Sequence, residues 1–204
     1  MKLYYKPGAC SLASHIALRE IGGPFEIEKV DTAAQKTDSG QDFAAINPKG
    51  YVPVLRLDSG ETLTEGAAIL QYLADANPNT GLAPKPGTFE RTRVQEHLNY
   101  VGSELHKAFS PLFATPPLKG EARTAAEAKI ARRMQYFEDL LSDGRDYLLG
   151  KAFSVADAYL FVVANWAKPT GLGLERWPHV AAFVDRVGQR KPTQGAMRDE
   201  GLIQ

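Results

Sequence analysis

The sequence holds a single cysteine, Cys10. That excludes an internal disulfide and any metal centre built on several thiolates. Histidine is scarce: His15, His97, His106 and His179 are scattered, and no two fall at a zinc-protease spacing, so we expect no bound metal. No apolar run approaches the roughly 18 residues that a membrane span requires. The opening stretch MKLYYKPGAC lacks the apolar core of a secretory leader. These gaps lead us to expect a cytoplasmic protein with no membrane partner. An excess of one charge is missing too. Lys plus Arg and Asp plus Glu stand at 24 each, which argues against a nucleic-acid partner, for which a basic excess is the rule.

What is present suits a soluble globular chain of 204 residues, 44% hydrophobic and 24% charged. That length supports one large domain or two small ones with real cores. The first third alternates in type. KLYY reads as a strand, and SLASHIALREIG as a helix with Leu12, Ile16 and Ala17 on one face and a Gly-Gly end. FEIEKVD reads as a second strand, with Phe25, Ile27 and Lys29 on one face. TDSGQDFAAINPKG reads as a loop with a short helix, and YVPVLRLDSGETLT as a hairpin about an Asp-Ser-Gly turn. EGAAILQYLADANP is an amphipathic helix stopped at Asn77-Pro78. This order predicts helices on a mixed four-stranded sheet.

NTGLAPKPGT is rich in Pro and Gly and reads as a linker. Beyond it strand signals vanish. Long helices are expected over 88–110 and 121–142, a buried one over SVADAYLFVVANWA, one starting at Pro178 and a short last one at Pro192. The predicted division is therefore an α/β domain over 1–78, a linker over 79–87 and an all-α domain over 88–204.

Cys10 falls between a strand and a helix. The first amides of a helix lack internal partners and carry partial positive charge, so a thiolate there is stabilised; the other reading is an inert buried sulfur. A thiol of pKa about 8.5 must lose about 2 units to ionise at pH 7, roughly 2.7 kcal/mol. A helix end supplies at most about 2 kcal/mol, so a second donor is needed. Ser11 is either a second hydroxyl in the site or an N-cap. Pro53 sits at a strand start, where a trans edge proline is the default; a cis bond would turn the Val52 backbone outward for an extended peptide ligand. Glu65 and Gly66 open a helix, with Thr64 as a candidate cap. Such a terminus binds carboxylates, and Glu65 either meets a ligand ammonium or merely suits the helix dipole. Ser154 and Asp157 are spaced as a capping box after Phe153, and we read Asp157 as structural. Tyr4 and Tyr5 alternate along a strand, so at least one belongs to the core.

The set YYKPGACSL, NPKGYVPVL, LTEGAAILQYLAD, SELHKAFSPLF and FSVADAYLF, with the closing EGLI, resembles the bacterial beta-class glutathione S-transferases over nearly the whole chain. The resemblance implies a thioredoxin-like first domain that binds glutathione as co-substrate. It places Ala9 and Cys10 at the glutathione sulfur, Val52 and Pro53 along its cysteinyl part, and Glu65 and Gly66 at its γ-glutamyl end. Many related classes carry a serine after the glutamate, whereas Gly66 offers only its amide. The class commonly has two adjacent lysines where this chain has Gln35-Lys36, which leaves Lys36, with Gln35 as a hydrogen-bond donor, for the glycyl carboxylate. His106, beside Lys107, is implied near the sulfur as the second donor, able to hydrogen-bond a thiolate or carry a proton at neutral pH, although a helical histidine alone reads as a surface or capping residue. Phe109, Leu112, Phe113 and Trp166 are implied in a pocket for a hydrophobic electrophile, or belong to the core. Asn99 and Glu104 are implied to reach glutathione across a homodimer. The implied activity is conjugation of glutathione to small electrophiles. The alternatives are dehalogenation or thiol–disulfide exchange through Cys10, and a non-catalytic binding protein of the same fold.

Overall fold

Lys2–Tyr5 form β1, the middle strand of the sheet. Leu3, Tyr4 and Tyr5 are all buried, so both tyrosines belong to the core. The computed structural model describes residues 1–204, in two compact units. In the first, β1 leads through α1 (Ser11–Ile21) to β2 (Glu26–Asp31), which pairs with it in parallel. β4 (Val54–Arg56) pairs antiparallel with β1 on its other side, and β5 (Thr62–Thr64) closes the hairpin. α3 (Gly66–Ala76) follows. α1 ends at Gly22, whose φ of 76° supplies the left-handed turn that stops a helix.

The sheet has five strands, not four, in the order β3-β2-β1-β4-β5. The extra one, β3 (Lys36–Thr37), pairs with the edge of β2. It is two residues long, too short for any alternation of polar and apolar residues to mark it. α2 (Phe43–Ile46) then covers the sheet through the fully buried Phe43.

The inward face of β2 also differs from expectation. Glu28 and Val30 are buried while Lys29 is exposed. Burial opposes ionisation of Glu28, but hydrogen bonds from Ser39, Thr37 and Lys2 prevail and lower its pKa to about 2. A satisfied carboxylate can thus take a position that the sequence pattern gives to Ile27.

The second unit, Pro84–Gln189, is helical. The predicted long helix is realised as α4 (Phe89–Tyr100), a π turn over Val101–Leu105, and α5 (His106–Phe109). α6 (Gly120–Leu141) buries Ile130, Met134, Phe137 and Leu141 as predicted. In α7 (Val155–Asn165) every residue from Val155 to Ala164 is buried. Its capping box is present, and Asp157 accepts from the Leu148 and Ser154 amides at 2.8 Å each. Glu138 on α6 accepts from the His179 and Val180 amides, which fastens the start of α8 (Pro178–Gly188).

The last segment departs from the predicted 88–204 division. Arg190–Gln204, which contains α9 (Lys191–Asp199), belongs to the first unit and packs against α1. The linker region holds a 3₁₀ turn at Pro78–Thr80 before the boundary at Ala83.

Candidate functional site

Cys10 is the N-cap residue of α1 and is half-buried. Its Sγ donates to the carbonyl oxygen of Val52 at 3.4 Å. The sequence predicted amides converging on a thiolate. What the structure places there includes a carbonyl, which accepts from S–H and offers nothing to a thiolate. The next amides are turned to the backbone: Leu12 N–H donates to Ala9 O and Ala13 N–H to Cys10 O. Ser11 neither caps α1 nor opens to solvent. It is fully buried, and its hydroxyl ties the turn by accepting from Lys6 N–H and donating to Lys6 O.

Val52 and the cis Val52–Pro53 bond precede β4. Val52 packs with Tyr4, Val30, Phe43 and Val54, and Ala9 lies against the same cluster. The turn bearing Cys10 and the strand entry bearing Val52 are therefore brought together by shared apolar burial as well as by the sulfur contact.

Glu65 begins α3. Its backbone sits at φ 69°, ψ 113°, outside the favoured wells of a non-glycine residue, a conformation that costs about 1–3 kcal/mol. Its carbonyl accepts from Ile69 N–H, so the helix starts at once behind it. Thr64 does not cap this helix; its hydroxyl accepts from Lys49 Nζ. The Glu65 carboxylate is exposed and takes Lys49 Nζ at 2.6 Å and Tyr51 OH at 2.8 Å. These hydrogen bonds hold the Lys49 ammonium and the Tyr51 phenol above their ordinary pKa values. The sequence did not single out Lys49 and Tyr51, which flank Gly50 in NPKGYVPVL and meet Glu65 here.

Gln35 also differs from expectation. Its side-chain amide donates to Thr32 O at 2.6 Å and to Gly50 O at 2.9 Å. The donor group offered to a glycyl carboxylate is thus spent as a strut between two loops. Lys36 is exposed on β3.

In the second unit, His106 Nδ1 lies 2.9 Å from Tyr159 OH. Gly102, in the π turn, lies beside that phenol: a Cβ there would touch it at 3.5 Å, in ordinary van der Waals contact. Burial, with a small contribution from Lys107, pushes the His106 pKa down to about 4. The ring is therefore neutral at neutral pH, which leaves hydrogen bonding, of the two roles expected of it, rather than carriage of a proton. Trp166 is the hub of the surrounding rings, with centroids 4.8 Å from His106, 5.3 Å from Phe113 and 6.0 Å from Phe109. Phe109 is fully buried and belongs to the core, while Phe113 is exposed and Leu112 half-buried. Asn99 is exposed on α4; Glu104 is held by the Arg133 guanidinium at 2.6 and 3.0 Å. Lys107 is exposed.

Unit by unit, then, the structure gathers Cys10, Val52 and Ala9 in the first unit, and His106, Phe109, Phe113 and Trp166 in the second. Known proteins resemble this chain in sequence and fold. Residues 8–76 match the family model for the N-terminal domain of glutathione S-transferases, and residues 101–191 match that for their C-terminal domain. The chain is 46% identical to glutathione S-transferase GstA of Escherichia coli O157:H7, over 99% of this chain and all of that one. It superimposes at a TM-score of 0.94 on a sphingomonad glutathione S-transferase solved in complex with glutathione, with 49% identity over the whole of both chains. The beta-class glutathione S-transferase of Sphingomonas chungbukensis also gives 0.94, at 47% identity over the whole of both. The chain belongs to the glutathione S-transferase family.

Proposed function

We propose that this glutathione S-transferase binds glutathione in its first unit and joins the tripeptide, through its sulfur, to small hydrophobic electrophiles. The observation that carries the reading is the pair of helix starts in that unit. One bears a half-buried thiol, Cys10, and the other an exposed carboxylate, Glu65. Glutathione brings a thiol, and at its γ-glutamyl end an ammonium and a carboxylate. The α3 N-terminus, with Gly66 as its first residue, suits the carboxylate, and Glu65 suits the ammonium. The Lys49–Glu65 ion pair holds that place. Its side chains are 47% and 54% exposed, and a pair this exposed contributes only about 0–1 kcal/mol. A ligand ammonium displaces it at little cost. A sphingomonad relative solved in complex with glutathione supports glutathione as the ligand.

Val52 offers its backbone to the cysteinyl part, beside Pro53, and Lys36 serves the glycyl carboxylate without help from Gln35. In the second unit the exposed Phe113 and half-buried Leu112 receive the electrophile, backed by the buried Trp166. His106, held by Tyr159 and neutral, acts as a hydrogen-bond donor or acceptor rather than as a cation. Turnover then depends on positioning and on stabilising the glutathione thiolate. We further propose a cytoplasmic homodimer in which Asn99 and Glu104 face the partner's glutathione.

A second reading rests on the accessibility of Cys10. Its thiolate attacks the glutathione sulfur of a mixed disulfide between glutathione and a second thiol, forms a Cys10–glutathione disulfide and releases that second thiol as its thiolate. The thiolate of free glutathione then breaks the Cys10–glutathione bond, regenerating Cys10 and leaving oxidised glutathione as product. Retention on immobilised glutathione, followed by conjugation to a chromogenic aryl halide, tests the first reading. Retention with turnover supports it. Retention without turnover points to a binding protein, and no retention overturns both.

A further inference from the structure

The turn that carries Cys10 is fastened from the far end of the chain. Glu200 follows α9, and its side chain is wholly buried. One carboxylate oxygen accepts the Gly8 amide at 2.9 Å, and the other lies 3.0 Å from His15 Nδ1 on α1. The His15 ring is fully buried as well, edge-on to Phe25. Burying a carboxylate is costly unless its oxygens are satisfied, and packing α9 onto α1 requires only apolar surface. The buried acid therefore does something packing does not: it spans from α1 to the backbone two residues before Cys10.

The turn is built to receive it. Gly8 has φ 69°, in the left-handed region. A Cβ at Gly8 would also meet the Leu202 side chain at 3.4 Å, so the C-terminal segment lies directly over this glycine. Across the base of the turn, Ala9 N–H donates to Lys6 O, and the Ser11 hydroxyl bridges both polar groups of the Lys6 backbone. At its tip, Cys10 Sγ reaches Val52 O. Glu200 holds the side of the turn that these local contacts leave to the C-terminus.

We infer that Glu200 is a positioning residue for glutathione transfer: through the Gly8 amide and His15 it sets the Pro7–Cys10 turn, and with it the thiol that meets the tripeptide. The inference rests on the reading of Cys10 as part of the glutathione site. Two measurements on the full chain keep the claims separable. Hydrogen exchange at the Gly8, Ala9 and Cys10 amides, and the rate of Cys10 alkylation by iodoacetamide against pH, need no glutathione. Glutathione KM and kcat do.

Glu200→Ala removes both contacts. Glu200→Asp keeps the charge but is one methylene short of spanning them, and remains usable should the alanine variant fail to fold. Arg19→Ala, which breaks the α1 ion pair to Asp199 while sparing Glu200, is the control for general loosening of α9. The expected result is about tenfold faster exchange at Gly8 in either Glu200 variant, the size of one lost hydrogen bond to a charged group. A displaced alkylation profile and a raised glutathione KM with a smaller change in kcat should accompany it, and Arg19→Ala should move none of these. Wild-type exchange and alkylation in folded Glu200 variants overturn the inference, as does an equal change in Arg19→Ala. Changed exchange and alkylation with an unmoved KM also overturn it, since the turn would then not set the tripeptide. A wild-type protein that fails to bind glutathione overturns instead the reading of the site.

Discussion

At the scale of single residues, the two groups expected to activate sulfur behave differently from a cation and an anion. Cys10 donates to a carbonyl, and His106 is neutral. Conjugation should therefore rely on the thiol of glutathione rather than on that of Cys10. Cys10→Ala is expected to retain aryl-halide conjugation within about tenfold, roughly the worth of one hydrogen-bond contact. The same variant should lose any glutathione-disulfide exchange altogether, read by release of the partner thiol from its mixed disulfide with glutathione.

His106 gives a pH prediction with a definite sign. Its folded pKa, about 4, lies below the 6.5 of an ordinary imidazole. The unfolded chain takes the proton first, so stability present in full above pH 6.5 is lost as pH falls through 4. Urea unfolding at pH 7 and pH 4.5 should show a larger loss in wild type than in His106→Asn. An equal loss contradicts the burial argument. The tyrosine partner was not legible in the sequence. Tyr159 lies 53 positions from His106, and nothing local in FSVADAYLF marks its hydroxyl as aimed at an imidazole.

At the scale of elements, helix starts govern the molecule. The capping box on α7 was readable because its two partners lie three residues apart, within one turn. The Leu148 amide that shares Asp157 was not, since it comes from the loop before. Asp157→Ala strips the acceptor from two buried amides and the Ser154 hydroxyl. We expect a loss of about 2–4 kcal/mol in urea unfolding at pH 5, from the cap and the unsatisfied donors together. Burial raises the Asp157 pKa to about 6, against 3.8 for an ordinary aspartate. That contribution is complete below pH 3.8 and fades as pH rises through 6. The deficit of the variant should therefore be smaller at pH 8 than at pH 5.

α3 shows the opposite arrangement, a start without a side-chain cap. Glu65→Gln keeps the shape and removes the charge that would meet a ligand ammonium. Calorimetry should show glutathione affinity reduced by about tenfold, as for one charge-assisted hydrogen bond, with thermal stability little changed because the Lys49–Glu65 pair is exposed. Unchanged affinity would remove Glu65 from the site.

At the scale of the whole molecule, what could be read in advance was whatever a short window contains. The strand–helix–strand order, the hairpin, the long helices and the paired motifs around Cys10 and Glu65 all rest on neighbours in sequence. What escaped rests on distance. β3 needs the edge of β2 to exist, and Glu28 faces inward only because Ser39 and Lys2 meet it there. Arg190–Gln204 follows the helical unit in sequence but joins the first unit, and Glu200 reaches Gly8 across 192 positions. No periodicity in a window can report such a closure. The family resemblance, rather than any pattern, offered Gln35 as a donor to glutathione, and the structure has it bracing Thr32 and Gly50.

The central claim is that glutathione lies in the first unit between the starts of α1 and α3. A crystal structure of the protein grown with glutathione tests it most directly. The account predicts the tripeptide's sulfur in contact with Cys10 Sγ, its cysteinyl backbone paired with Val52, and its ammonium on Glu65 in place of Lys49. Density for glutathione elsewhere, with the Lys49–Glu65 pair intact and Cys10 still bonded to Val52, would contradict it.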